Sequence, residues 1–180
     1  MKSVVLFFVA IITLTNCNSL NKEHVSKNEQ LKQTLDNEYL KDTTPKVTGI
    51  GGIFFFSDNP SEAKIWYAKN LGLEVNQWGS SFEFRNANRP EEINYLQWSL
   101  FRKGSKYFAP SKKEFMINYR VQNINGLIRK LKNNGVTILD TIETYDYGKF
   151  VHIIDPEGNK IELWEPVDSI LTKIGAKTTK

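Results

Sequence analysis

Two copies of one unit follow each other in this chain, and that repetition limits its fold more than any other feature. In the first copy the apolar run Ile53-Phe54-Phe55-Phe56 leads into Ser57-Asp58-Asn59. Asn59 is placed to cap a helix, Pro60 has the fixed φ that suits a first helical position, and Glu62 completes a capping-box-like arrangement. Ala63, Trp66, Tyr67 and Leu71 then recur at helical spacing up to Gly72, a residue able to take the left-handed conformation that ends a helix. In the second copy the strand Phe115-Met116-Ile117-Asn118-Tyr119-Arg120-Val121 precedes the cap Asn123, the stripe Ile124, Leu127, Ile128 and Leu131, and the stop Gly135. The spacing from Asn59 to Gly72 matches that from Asn123 to Gly135 within one residue.

Three strand candidates follow each helix: Leu73–Trp78, Ser81–Arg85 and Ile93–Arg102 in the first copy, Val136–Thr144, Lys149–Ile154 and Lys160–Glu165 in the second. The turn Asp155-Pro156-Glu157-Gly158-Asn159 joins the last two. The expectation is an α+β domain over residues 47–166, made of two βαβββ modules at about 47–104 and 113–166.

The flanks have another character. Met1-Lys2-Ser3 places a positive charge before the apolar run Val4–Ile12, the pattern of an export signal, and the run is shorter than the roughly 20 residues of a membrane span. Leu14-Thr15-Asn16-Cys17 resembles a bacterial lipoprotein signal over residues 1–16, which makes Cys17 the expected lipidation site and the protein an exported, membrane-anchored one. Residues 17–46 are polar and poor in apolar side chains, as in a tether. Leu31, Leu35 and Leu40 allow one helix there, and His24 is expected to be solvated. The tail 167–180 allows one helical turn around Ile170, Leu171 and Ile174.

Composition excludes several classes. Cys17 is the single cysteine, so no intrachain disulfide and no Cys-pair zinc site can form. The 24 Lys and Arg are interspersed with 20 Asp and Glu instead of forming a basic face, which argues against a nucleic-acid partner. His152 is the one imidazole within the repeat.

The duplicated βαβββ plan, with Leu71-Gly72, Val121-Gln122-Asn123 and Asp155-Pro156-Glu157-Gly158-Asn159-Lys160-Ile161-Glu162-Leu163, resembles the vicinal oxygen chelate superfamily of glyoxalases, extradiol dioxygenases and bleomycin-resistance proteins. The resemblance implies mixed, curved sheets that enclose a cavity, helices on the outside, and a divalent metal held by the first and last strand of each module. Glu162 is the only position that matches a family ligand. Gly52 and Met116 stand at the first-strand positions, and Gln97 or Ser99 on the last strand of the first module. Glycine has no ligand atom and a thioether suits hard cations poorly, so no cofactor is expected beyond a weak divalent metal.

Strand alternation gives an independent view of the interior. If Phe115, Ile117, Tyr119 and Val121 face the helices, then Met116, Asn118 and Arg120 face inward, as do Gly52, Phe54, Phe56, Gln97, Ser99, Phe101, Glu162 and Trp164. Phe54, Phe56, Gln97, Ser99, Asn118, Arg120 and Trp164 are thus candidate ligand-binding residues, a mixture of aromatic walls and placed polar groups. Glu162, as a base or sole carboxylate ligand, and His152, the only imidazole able to transfer a proton there, are the candidate catalytic residues, with a hydrogen-bonded structural role as the alternative for His152. Glu162 paired with Arg120 or Lys160 is the structural alternative, and Tyr145 and Tyr147 either rim the cavity or cover a sheet edge. Three classes stay open: a lipid-anchored domain that binds a small molecule, a lyase, isomerase or dioxygenase of the same superfamily, and a structural or partner-binding lipoprotein, with the modules pairing within one chain or across a homodimer.

Overall fold

The computed structural model describes residues 25–34, 42–87 and 89–179. Cys17, His24, Leu35, Leu40 and the expected signal segment lie outside them. The chain divides into two compact units, residues 1–42 and 43–180. The first contains helix α1 at residues 25–34, on which Val25 and Leu31 are exposed. Among the described residues no helix is long and apolar enough to cross a membrane.

The second unit carries β1 (Lys46–Ser57), α2 (Pro60–Leu71), β2 (Val75–Asn76), β3 (Gly79–Arg85), β4 (Ile93–Arg102), β5 (Phe115–Gln122), α3 (Ile124–Asn133), β6 (Glu143–Tyr145), β7 (Gly148–Ile154), β8 (Lys160–Pro166) and α4 (Asp168–Ile174). The strands form one curved, unclosed eight-stranded sheet in the order β2-β3-β4-β1-β5-β8-β7-β6. In each module the first strand runs parallel to the last, β1 with β4 and β5 with β8. The two first strands pair antiparallel and so fuse the modules.

Helices α2 and α3 start and stop where their caps require. Asn59 Oδ1 accepts from the Glu62 N–H at 3.3 Å, and Asn123 Oδ1 accepts from that of Gly126 at 3.0 Å. Gly72 and Gly135 leave the helical region at φ 71° and 76°. The second module holds the larger core, in which Ile124, Leu127 and Ile128 of α3 pack on Val121, Val151, Ile153 and Leu163. The expected stripe of α2 is corrected here: Trp66 and Leu71 are exposed, and no residue of α2 is buried. Trp66 and Tyr67 are adjacent and point about 100° apart on a helix, so only one can face the sheet. Tyr67 does, with its ring 4.7 Å from that of Trp98.

Two expected strands are shorter than their apolar patterns. The one after α2 reduces to β2, and the one after α3 reduces to an Ile138–Ile153 bridge and β6. The interruption in the second has a cause: Asp140 Oδ1 accepts from the His152 backbone N–H at 2.8 Å, taking a donor that a neighbouring strand would use. The segment joining the modules forms a 3-10 turn, Lys106–Phe108, whose Phe108 is buried with Phe54 and Met116 and stacked on Phe56 at 4.4 Å. It therefore covers the face opposite the helices. The C-terminal segment continues from β8 through α4 to a bridge between Thr179 and Phe82.

Candidate functional site

Strand register creates the site. Gln97, Gly52, Asn118, Glu162 and His152 lie level across β4, β1, β5, β8 and β7, and Arg120, Trp164 and Phe150 form a second row. Glu162 is the centre of the first row, with 3% of the residue exposed. Its Oε1 accepts from Asn118 Nδ2 at 2.6 Å, and its Oε2 accepts from the Tyr107 hydroxyl and from His152 Nε2, the latter at 3.0 Å. The Tyr107 ring stacks on Phe101 at 5.0 Å, which holds its hydroxyl over the carboxylate.

His152 bridges two acids, since its Nδ1 lies 2.6 Å from Asp140 Oδ2. Both ring nitrogens face carboxylate oxygens, an arrangement that only the doubly protonated imidazolium satisfies. Burial by itself pushes the imidazole down, but the bond to Glu162, the Glu162 charge and the bond to Asp140 outweigh it and raise the pKa above 6.5, against a small opposing effect of Lys160. For Glu162, burial favours the neutral acid, yet the bonds from His152, Tyr107 and Asn118 hold its pKa below the ordinary value. Burial, then the Glu162 charge, pushes the Tyr107 phenol well above its usual range. Burial lowers the Lys160 ammonium, whose Nζ donates to the Tyr107 carbonyl at 2.6 Å. Chemically this is a neutralised network of ionised groups. A carboxylate that keeps its charge and already accepts from three donors is a poor proton acceptor.

Neither of the partners weighed for Glu162, Arg120 or Lys160, bonds to its carboxylate. Arg120 pairs instead with Asp168 Oδ2 at 2.5 Å and donates to the Tyr95 carbonyl at 3.0 Å. Phe54 and Phe56 pack on Phe108, while Trp164 stacks on Phe150 beside Tyr145 and Tyr147. Gln97 and Ser99 turn to their own module: Gln97 Oε1 accepts from the Ser81 hydroxyl at 2.8 Å, and Ser99 Oγ donates to the Trp78 carbonyl at 2.7 Å. A cavity of about 490 Å³ opens between the β3–β4 hairpin and the C-terminal segment, lined among others by Glu74, Glu83, Ile93, Tyr95, Thr172 and Ala176. Strand alternation puts Tyr95 and Glu83 on the same side of the hairpin as Gln97 and Ser81.

Tyr107, Asp140 and Asp168 were missed by the sequence reading. Tyr107-Phe108 is an aromatic pair inside the otherwise polar linker between the modules, which is a usable signal; the two aspartates resemble any other surface acid.

The implied metal does not fit these residues. Both Glu162 oxygens are committed to proton donors. The space a Gly52 side chain would fill is taken by the Phe54 ring, 2.6 Å from a Cβ built there, and Met116 is fully buried. Among the described residues no three His, Cys, Asp or Glu side chains are grouped to hold a cation.

The arrangement of two βαβββ modules in one curved sheet is the fold of the vicinal oxygen chelate superfamily. Solved structures resemble it over about two thirds of this chain. A methylmalonyl-CoA epimerase variant from Streptomyces coelicolor, in complex with 2-nitronate-propionyl-CoA, is 13% identical with a TM-score of 0.51, over 68% of this chain and 99% of its own. A methylmalonyl-CoA epimerase in complex with methylmalonyl-CoA and NH4+ is 12% identical with a TM-score of 0.51, over 68% and 96%. The Mn(II)-bound glyoxalase from Novosphingobium aromaticivorans is 14% identical with a TM-score of 0.48, over 68% and 40%. No family profile matches the sequence, and no curated protein is significantly similar to it.

Proposed function

We propose that the domain binds a small organic molecule without the help of a metal, and that the molecule enters beside the C-terminal segment instead of at Glu162. The observation that carries this reading is an open groove of about 490 Å³ beside Thr172 and residues 175–178, a size within the range of small-molecule sites, with Ile93 and Tyr95 as apolar wall and Glu83, Lys177 and Thr172 as polar groups. The Glu162 end of the same sheet is packed, because Tyr107 and Phe108 fill it with the domain's own side chains. Its network braces strands that their backbone pairing already holds in register, and proton transfer by Glu162 and His152 is the less favoured reading.

The test is a thermal-shift screen of the purified protein against small metabolites, since a ligand that prefers the folded state raises apparent stability. Hits are expected to lose their effect in Ala176→Trp, which fills the cavity, and to keep it in the presence of a chelator. Hits unaffected by Ala176→Trp count against the cavity as the site. We further propose that Cys17 carries the protein on a membrane as an acylated first residue, exported from the cytoplasm. Replacing Cys17 by Ser is expected to move the protein to the soluble fraction; retention in the membrane fraction refutes the anchor.

A further inference from the structure

Arg120 has only 5% of its side chain exposed, and its guanidinium carbon lies 5.8 Å from the centre of the Phe84 ring and 5.2 Å from that of Trp164. The rings cover its faces and leave its edge for hydrogen bonds. That edge meets the Tyr95 carbonyl through Nη1 and Asp168 Oδ2 through Nη2. Asn94 Nδ2 donates to the same Oδ2 at 3.3 Å, while Asp168 Oδ1 is buried and meets no donor among the described residues. A guanidinium clamped between rings is a receptor for a carboxylate, and the resident carboxylate uses it badly, with one oxygen shared and the other idle.

The element that delivers Asp168 is held by polar contacts. Helix α4 has seven residues, no buried side chain, and no capping bond from Val167. Within it Thr172 meets the Tyr95 hydroxyl at 3.0 Å, and beyond it Thr178 donates to Glu83 at 2.8 Å and Thr179 meets Ser80 at 2.8 Å. These bonds can be exchanged for bonds with water, so Asp168 can leave the guanidinium by a local loosening of α4, whose apolar Ile170 and Leu171 are only half-buried.

We propose that Arg120 anchors the carboxylate of a small organic acid, and that Asp168 is its built-in competitor, displaced from the guanidinium when the acid binds while residues 175–178 stay in place as the wall of the site. The proposal rests on the reading of the neighbouring cavity as a ligand site and names the ligand class and the regulation of that site. Tyr95 joins the two, because its carbonyl accepts from Arg120 and its side lines the cavity.

Benzoate is the probe, with neutral benzamide as its control, titrated calorimetrically into the full purified protein. Benzoate is expected to bind the wild type and to speed amide hydrogen exchange over helix α4, residues 168–174, as Asp168 leaves the guanidinium; benzamide does neither. In Asp168→Asn the competitor is gone, and benzoate is expected to bind roughly tenfold more tightly, as when the competent state is about a tenth of the population in the wild type. Adding Arg120→Gln to that variant is expected to abolish the binding. The exchange measurement needs no variant, so a poorly folded Asp168→Asn does not protect the proposal. Unchanged exchange at saturating benzoate overturns it, as does a folded Asp168→Asn that binds benzoate no better. Screen hits that depend on Ala176 but are indifferent to Asp168 and Arg120 overturn this inference and leave the cavity reading intact. Benzoate and hits that are all indifferent to Ala176→Trp bring down both.

Discussion

Glu162 shows how a single buried charge is made tolerable. A carboxylate out of water costs several kcal/mol unless its lone pairs are filled, and Tyr107, Asn118 and His152 fill them. Glu162→Gln deletes the charge and turns an amide N–H toward groups that are themselves donors. It is expected to destabilise the protein by about 3–5 kcal/mol, read from urea denaturation. Tyr107→Phe removes one charge-assisted bond and is expected to cost about 1.5–3 kcal/mol in the same assay. Gly51 is a matter of close approach instead of conformation: a Cβ there would lie 2.1 Å from Asn118 Oδ1 and 2.8 Å from the Trp164 ring. Gly51→Ala is expected to cost about 1–3 kcal/mol through overpacking, read in the same assay.

The two helices are alike in sequence plan and unlike in what they bury. Helix α3 sends Ile124, Leu127 and Ile128 into the core, whereas α2 buries nothing and touches the sheet chiefly through Tyr67. Amides of α2 are therefore expected to exchange with solvent at least about tenfold faster than those of α3, because less apolar area is exposed when α2 opens. Equal protection of the two helices argues against this picture. At this scale much was legible in advance. The caps Asn59 and Asn123 and the glycines Gly72 and Gly135 act locally, so they mark helix ends in the sequence as they do in the fold. The short strands were not legible, because the contact that interrupts one of them joins Asp140 to a residue twelve positions away.

For the whole molecule, the network ties stability to pH from two sides. The His152 pKa is raised on folding, so its contribution is complete below about 6.5 and is lost as pH climbs through the folded value, which lies higher. The Glu162 pKa is lowered, so its contribution is complete above about 4.5 and is lost as pH falls through its folded value. The melting temperature is expected to be highest between about pH 4.5 and 6.5 and to decline on the alkaline side. His152→Gln is expected to flatten the alkaline decline, and an unchanged slope in that variant refutes the assignment.

The sequence by itself determined the two-module plan and the inward side of β1, β4, β5 and β8, though not that of the strand bearing His152, because repetition, caps and alternation are local rules that need no knowledge of distant residues. It also carried the inward placement of Asn118, Arg120, Glu162 and Trp164. Tertiary structure alone decided the partners. Register brought His152 beside Glu162, the linker between the modules folded back to set Tyr107 on the same carboxylate, and the tail crossed the sheet to give Arg120 the carboxylate of Asp168 instead of Glu162. Charge pairing is decided by distances of a few ångströms between side chains far apart in the chain, and no local pattern encodes those distances.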